Sequence, residues 1–383
     1  MSVTAAHGFR AAGVAAGLKS SGALDVALVV NDGPCYAAAG VFTANRVAAA
    51  PVLWSRQVLA GRRVAAVALN SGGANACTGS AGFGDAHATA EAVAQRLGIG
   101  AGEVALCSTG LIGERLALPQ LLAGIDRAVD ALSEGGAEAA AQAILTTDTV
   151  TKQALVHQDG WCVGGMAKGA GMLAPGLATM LAVLTTDAEV SATECDDALR
   201  AASAHTFERI DSDGCMSTND TVLLLASGAS GRRPAPEAFA AAIEDVCAQL
   251  AMALLADAEG ARHDIAVHVI DAATDGDALE VGRAVARSNL LKCAIYGGDP
   301  NWGRVLAAVG TTSARFDSDA LDVSINGVTV CRSTAPAQAR TGVDMSSRMV
   351  EITVCLHAGS HRLTVWTNDL TPEYVHENSA YST

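Results

Sequence analysis

Aromatic side chains are scarce in this chain. Four Trp, four Tyr and six Phe make up 4% of 383 residues, while hydrophobic residues as a whole make up 50%. A chain of this length has ample core, and here that core has to be built from small groups, chiefly Ala and Val, with closely packed backbones. Positive charge is also limited: 25 Lys and Arg stand against 40 Asp and Glu, for a formal net charge of −15. No run of Lys and Arg forms a basic stripe, which argues against a nucleic-acid partner. Long apolar runs are missing too. No stretch reaches the roughly 18 apolar residues of a membrane-crossing helix, and the best candidate, 172–184, is broken by Pro175, Gly176 and Thr179. Residues 1–19 lack the sustained apolar stretch of a secretion signal. The ten cysteines contain no Cys-x-x-Cys pair and read as small buried hydrophobes in a reducing compartment. The expectation is a cytoplasmic protein with no membrane or nucleic-acid partner.

Several linear site motifs are missing as well. The chain has no Gly-x-Ser-x-Gly elbow, no Walker A loop and no Gly-x-Gly-x-x-Gly fingerprint. Asp211-Ser212-Asp213-Gly214 hints at a calcium loop, but its glycine is misplaced and Val222 stands where the bidentate Glu belongs. His357 and His361 are four apart, yet Gly359 and Ser360 put them across a turn and not on one helix face. The expectation is no cofactor and no metal.

Strand and helix patterns alternate along the chain. Val26–Val30, Val64–Leu69 and Val104–Cys107 are short Val-containing runs that predict strands. The third delivers Ser108, Thr109 and Gly110 at its carboxyl end, a common place for ligands in α/β proteins. Residues 180–185 and 265–272 predict further strands. Helical patterns cover 86–97, 118–132, 137–145, 191–204, 236–256 and 278–288, and Ser191 with Glu194 forms a capping box. Residues 152–157 and 161–167 read as a hairpin through Gln158-Asp159-Gly160. A second hairpin, 322–331, turns at Asn326-Gly327, and 350–356 with 361–366 reads as a third. Residues 228–236 form the one clear linker. Alternation interrupted by hairpins predicts an α/β protein of layered mixed sheets and helices.

The most informative segment is Lys168-Gly169-Ala170-Gly171-Met172-Leu173-Ala174-Pro175-Gly176-Leu177-Ala178-Thr179-Met180-Leu181. A glycine-rich turn with one lysine leads to a threonine preceded by a small residue. Self-cleavage at Ala178–Thr179 needs these features, because the Thr Oγ must reach the preceding carbonyl unobstructed. After the cut, Thr179 carries its own α-amine, with an intrinsic pKa of about 7.7–8.0, as a local base for an otherwise weak nucleophile.

This segment, with Asn70-Ser71-Gly72-Gly73-Ala74-Asn75-Ala76-Cys77-Thr78-Gly79, Ser108-Thr109-Gly110-Leu111-Ile112-Gly113, Ser217-Thr218-Asn219-Asp220-Thr221, Gly298–Arg304 and the terminal stretch 373–383, resembles the ornithine acetyltransferase family over the whole chain. The chain departs from the family pattern at Gly73, Ala170, and Cys215-Met216. The resemblance implies two α/β domains with the active site between them, a DmpA-like arrangement. It implies an alpha chain, 1–178, and a beta chain, 179–383, paired as a heterotetramer of two of each. It further implies Thr179 as nucleophile and Thr109 with Gly110 as oxyanion hole. Substrate contacts fall to Thr146, Thr147, Lys168, Thr179, Glu259, Asn378 and Thr383, with the choice between Thr146 and Thr147 open. The implied reaction moves an acetyl group from N-acetylornithine to glutamate in arginine biosynthesis. Whether acetyl-CoA is also a donor stays open. The alternative from another class is an N-terminal-nucleophile hydrolase, aminopeptidase-like, with water as acceptor.

Overall fold

The computed structural model describes residues 2–174, 180–337 and 342–380. The expected cleavage pair Ala178–Thr179 and the expected substrate contact Thr383 lie outside the described residues. Three sheets organise the rest. The first contains β1 (Phe9–Val14), β2 (Val26–Asn31), β4 (Ala66–Asn70) and β5 (Val104–Ser108) in the order β1-β2-β4-β5. The second contains β3 (Ala37–Phe42), β6 (Lys152–Gln158), β7 (Trp161–Lys168), β8 (Leu181–Thr186) and β9 (Thr221–Ala226) in the order β3-β9-β8-β7-β6.

These two sheets pack face to face, and the alternation of strand side chains shows how. In β8, Leu181 and Val183 meet Val29, Val67 and Leu69 of the first sheet. Ala182 and Leu184 turn the other way, toward α5 (Ala192–His205) and α6 (Pro236–Ala256). The far face of the first sheet is covered by α2 (Gly79–Leu97) and α3 (Leu118–Asp130). Helix, sheet, sheet and helix thus form four layers. Two shorter helices, α1 (Ala50–Leu59) and α4 (Ala137–Ala143), pack at the sides. Ser191 and Glu194 close the capping box expected at the start of α5.

Helix α6 corrects one expectation. It has 21 residues and a mean hydropathy of 1.6, enough by length and composition to cross a membrane. Glu244, Asp245 and Gln249 interrupt its apolar run in the sequence, whereas Phe239, Ile243, Val246, Leu250 and Leu254 share one buried face against the second sheet. It is a core helix of the sandwich.

The third sheet has the order β13-β12-β11-β14-β10-β15. Its strands are β10 (Asp264–Ala272), β11 (Asp322–Ile325), β12 (Val328–Arg332), β13 (Ala335–Pro336), β14 (Met349–Cys355) and β15 (His361–Asn368). Helices α7 (Asp275–Ala286), α8 (Asn289–Tyr296) and α9 (Trp302–Val309) cover one face, and α10 (Pro372–Ala380) follows β15. The hairpin about Asn326-Gly327 forms as expected. The hairpin expected from 350–356 and 361–366 does not. β14 runs parallel to β10 on one side, and β15 runs antiparallel to it on the other. Residues 356–360 cross the end of β10, a step of about 10 Å or two strand spacings. The apolar β10 is the better partner for both strands, and 356–360 carries no two-residue turn signal to hold them together.

Candidate active site

The carboxyl ends of β4, β5 and β7 and the amino ends of β8 and β9 meet at one end of the sandwich. There the backbone leaving β5 is tightly held. Ser108 Oγ donates to Asn70 Oδ1 at 2.6 Å, and Asn70 Nδ2 donates to the Gly73 carbonyl at 3.0 Å. Asn219 Nδ2 reaches both the Ala74 and Ser108 carbonyls, at 2.7 and 2.8 Å. Gly110 follows with φ +130°, and a Cβ there would lie 2.7 Å from the Gly73 nitrogen. Only glycine fits that conformation and that approach. Thr109 is buried, with its hydroxyl toward Lys168.

Lys168 ends β7 and is 2% exposed. Its Nζ donates to Thr146 Oγ1 at 2.7 Å and to Thr109 Oγ1 at 3.4 Å, and lies 3.7 Å from Asp148 Oδ2. Burial lowers its pKa, partly opposed by Asp148. Asp148 joins two buried lysines, because Lys152 Nζ donates to its Oδ1 at 2.6 Å and to Asp257 Oδ2 at 2.6 Å. Asp148 Oδ1 also accepts the Gly169 N–H at 2.6 Å. Burial pushes the Asp148 carboxyl up, but Lys168, Lys152 and the Gly169 N–H outweigh it and hold the group at about 2.

The turn after Lys168 forms one wall of the site. The Ala170 carbonyl accepts the Glu259 N–H at 2.9 Å, and the Glu259 carboxylate lies over Gly171. A Cβ at Gly171 would sit 2.5 Å from Glu259 Oε2, so the second glycine of the turn makes room for that carboxylate. Asn378 Nδ2 donates to the same oxygen at 2.9 Å. Met172, at φ +55°, is held by Asp213 Oδ2, which accepts its N–H at 2.6 Å.

Thr109, Gly110, Thr146, Thr147, Lys168, Glu259 and Asn378 therefore line a single cavity of about 350 Å³, together with Ala74, Ser217, Thr218 and Asn219. Thr146 and Thr147 both face it, with the Thr146 hydroxyl engaged by Lys168. The Cys215-Met216 departure falls beside this cavity: Met216 bridges Leu173, and the Asp213 carboxylate that fixes Met172 also accepts the Cys215 N–H at 3.0 Å. Ala170 is buried, so a methyl group fills its place without a polar partner.

Sequence reasoning assigned no part to Asp148, Lys152, Asn219 or Asp220. Asp220 is fully buried, accepts the Met180 N–H at 3.1 Å, and leaves Oδ2 without a partner among the described residues. Burial raises its pKa well above the usual carboxylate range. Its signal lay within the Ser217–Thr221 block, but nothing in spacing shows which member turns inward. Chemically, the cavity offers hydroxyl and backbone donors, the Lys168 cation and the Glu259 carboxylate on one lining. This set suits a small zwitterionic substrate with a second charged group.

A model of the ArgJ family matches residues 10–383. The chain is 64% identical over 382 residues to the arginine biosynthesis bifunctional protein ArgJ of Streptomyces avermitilis, covering 100% of both chains. It is 60% identical over 383 residues to the protein of the same name from Thermobifida fusca, again covering 100% of both. The solved structure of ornithine acetyltransferase complexed with ornithine from Mycobacterium tuberculosis is 63% identical to it. That match covers 47% of this chain and 96% of the other, with a TM-score of 0.45.

Proposed function

The chain belongs to the ArgJ family, and from that premise we propose that it is a self-cleaving acetyltransferase of arginine biosynthesis, moving the acetyl group of N-acetylornithine to glutamate. The observation that carries this reading is the single cavity shared by Thr109, Gly110, Lys168, Glu259 and Asn378, together with the buried Met180, which directly follows Thr179 in the chain and whose N–H is held by Asp220, next to the cavity-lining Asn219. Cleavage at Ala178–Thr179 yields chains 1–178 and 179–383. Thr179 Oγ then attacks the acetyl carbonyl while its own α-amine takes the Oγ proton. The Thr109 hydroxyl and the Gly110 N–H donate to the developing oxyanion. The C–N bond breaks, the proton passes to the departing nitrogen, and ornithine leaves an acetyl ester on Thr179. The glutamate amine attacks this ester, loses a proton to the Thr179 amine, and departs as N-acetylglutamate with Thr179 restored.

In this reading Lys168 pairs with the substrate α-carboxylate and Glu259, held by Asn378, receives the ornithine side-chain amine. Thr146 or Thr147, with Thr383, completes the substrate contacts. The partners are N-acetylornithine and glutamate, with acetyl-CoA as a second donor to be tested. The assembly is a heterotetramer of two alpha and two beta chains. The location is the cytoplasm, supported by ten cysteines that are all free.

Two measurements decide the reading. Intact mass should give two species, for chains of 178 and 383 − 178 = 205 residues, and Thr179→Ala should give only the full chain and no turnover. Product analysis should show ornithine released from N-acetylornithine beyond one equivalent per active site only when glutamate is present. Free acetate formed at the same rate without glutamate would replace the transferase with a hydrolase. The same assay with acetyl-CoA decides the second donor, and light scattering decides the assembly.

A further inference from the structure

The outer face of the third sheet carries a cluster that no linear spacing reveals. Alternation along β14 sends Val354 into the core and Cys355 to the opposite face, and His357, two residues past the strand at φ +48°, brings its ring to the same cysteine. Asp322 of β11 pairs directly with Cys355 in the ladder and lies on that face too. On the other side, Ile270 of β10 is the direct partner of Cys355. Regular alternation would send the next residue, Asp271, into the core. Instead β10 is bulged between Val269 and Ala272, Asp271 adopts φ +53°, and Ala272 takes the core position. Bulges re-aim side chains in this way and are frequent next to functional sites. The re-aimed Asp271 carboxylate accepts from Cys355 Sγ at 3.2 Å, and Cys355 Sγ lies 3.5 Å from His357 Nδ1. One donor atom from each of Asp271, Cys355 and His357 lies within 4.8 Å of the others.

We propose that Asp271, Cys355 and His357 form a binding site for one borderline-soft divalent cation of the zinc type, with solvent as fourth ligand.

Donor identity, spacing and orientation all fit such an ion. Thiolate, imidazole and carboxylate together select zinc over hard cations such as magnesium. Zn–S bonds of about 2.3 Å and Zn–N bonds of about 2.0–2.1 Å at a tetrahedral angle put sulfur and nitrogen roughly 3.5 Å apart, which matches the Cys355–His357 separation of 3.5 Å. Asp322 supplies the outer support. Its Oδ2 lies 3.0 Å from His357 Nε2 and its Oδ1 accepts the Ser333 N–H at 2.8 Å. A carboxylate held in this way keeps the proton on Nε2 and turns the Nδ1 lone pair toward the sulfur, as in carboxylate–histidine–zinc arrangements. The His357 side chain is 46% exposed, which leaves one side open to water. Burial, and then Asp271, push the Cys355 thiol up to about 11, so the protein alone does not hold a thiolate there. Metal binding replaces the Sγ proton, which is released to solvent.

This site does not depend on the acetyl-transfer reading, and its test uses no activity. Protein stripped with a chelator and reloaded with Zn²⁺ should retain one equivalent per pair of alpha and beta chains after dialysis. Co²⁺ in its place should give a thiolate-to-cobalt charge-transfer band in the near ultraviolet. Cys355→Ser should abolish the band, and His357→Gln should abolish stoichiometric binding. Asp322→Asn should keep the band and weaken affinity roughly 10- to 100-fold. Melting temperature measured in chelator establishes that each variant is folded, and only folded variants are scored. Absence of retained Zn²⁺ in the wild type, or a band that survives Cys355→Ser and so arises from another cysteine, would overturn the proposal.

Discussion

Asp148→Asn tests the electrostatic account of the cavity wall. Asp148 is held at about 2 in the folded chain, against about 3.9 for an unperturbed Asp. At about 1.36 kcal/mol per unit, this shift corresponds to roughly 2–3 kcal/mol of stability at neutral pH. The folded value is depressed, so the contribution is complete above pH ~4 and is lost as pH falls toward 2. Removing the charge also leaves Lys168 without its nearest carboxylate and hydrogen-bonded only to the Thr146 and Thr109 hydroxyls, while Lys152 keeps Asp257. Breaking a buried pair costs about 3–5 kcal/mol, and the surviving Asp257 pair brings the expectation to roughly 2–4 kcal/mol at pH 7. The measurement is urea unfolding in a Thr179→Ala background, where the chain stays continuous, at pH 7, 5 and 3.5. Asp148→Asn should be less stable at pH 7, and its deficit should shrink at pH 3.5. Lys168→Met should cost less in the Asp148→Asn protein than alone, as coupled neighbours require. Equal deficits at all three pH values would refute the reasoning, because a merely structural role has no such pH dependence.

Thr109→Ala, assayed on fully cleaved protein, should lower kcat about a hundred- to a thousand-fold with little change in KM, since a donor to the oxyanion acts on the transition state. Normal turnover per folded molecule would remove Thr109 from the site. Gly171→Ala should displace the Glu259 carboxylate, because the added Cβ falls 2.5 Å from Oε2. It should raise KM for N-acetylornithine roughly 10- to 100-fold, as loss of a charged hydrogen bond does, with an almost unchanged melting temperature. Glu259→Gln should raise the same KM while leaving single-turnover deacylation by glutamate close to normal, and an equal loss in both half-reactions would argue against contact with the ornithine amine.

Much of the fold was legible because periodicity and local chemistry agreed. The Ser191–Glu194 box, the Asn326-Gly327 turn and the 152–168 hairpin each carry their own signal, and the structure contains all three. Pairing between distant segments was not legible. Nothing near 350–366 shows that β10, about 80 residues earlier, lies between β14 and β15. β1 and β3 escaped notice because Ala and Gly dominate them. The site residues came from block resemblance, and the structure shows why the blocks are spaced as they are. The Asn70–Gly79, Ser108–Gly113, Lys168–Leu181 and Ser217–Thr221 blocks and Asn378 of the terminal stretch each line the same cavity, whereas the Gly298–Arg304 block contributes no residue to it. Asp148 and Asp220 stayed hidden because their roles depend on burial and on Lys168, Lys152 and Met180, partners that no spacing rule supplies.

The second sheet has β7 and β8 as antiparallel neighbours, paired from Val163↔Thr186 to Lys168↔Leu181, and β3 paired with β9. A cut before Thr179 would place β3, β6 and β7 on one polypeptide and β8 and β9 on the other. Neither fragment would then own a complete core, so folding has to precede scission. The scission is also one-way for the folding problem. Before it, refolding is a unimolecular search that runs equally well at any dilution. Afterwards, a denatured molecule is two solutes that must first meet, and the tether's effective concentration, in the millimolar range for short connections, is gone. The mature enzyme would be rescued from denaturation only at high protein concentration, while the uncut precursor would recover even when dilute.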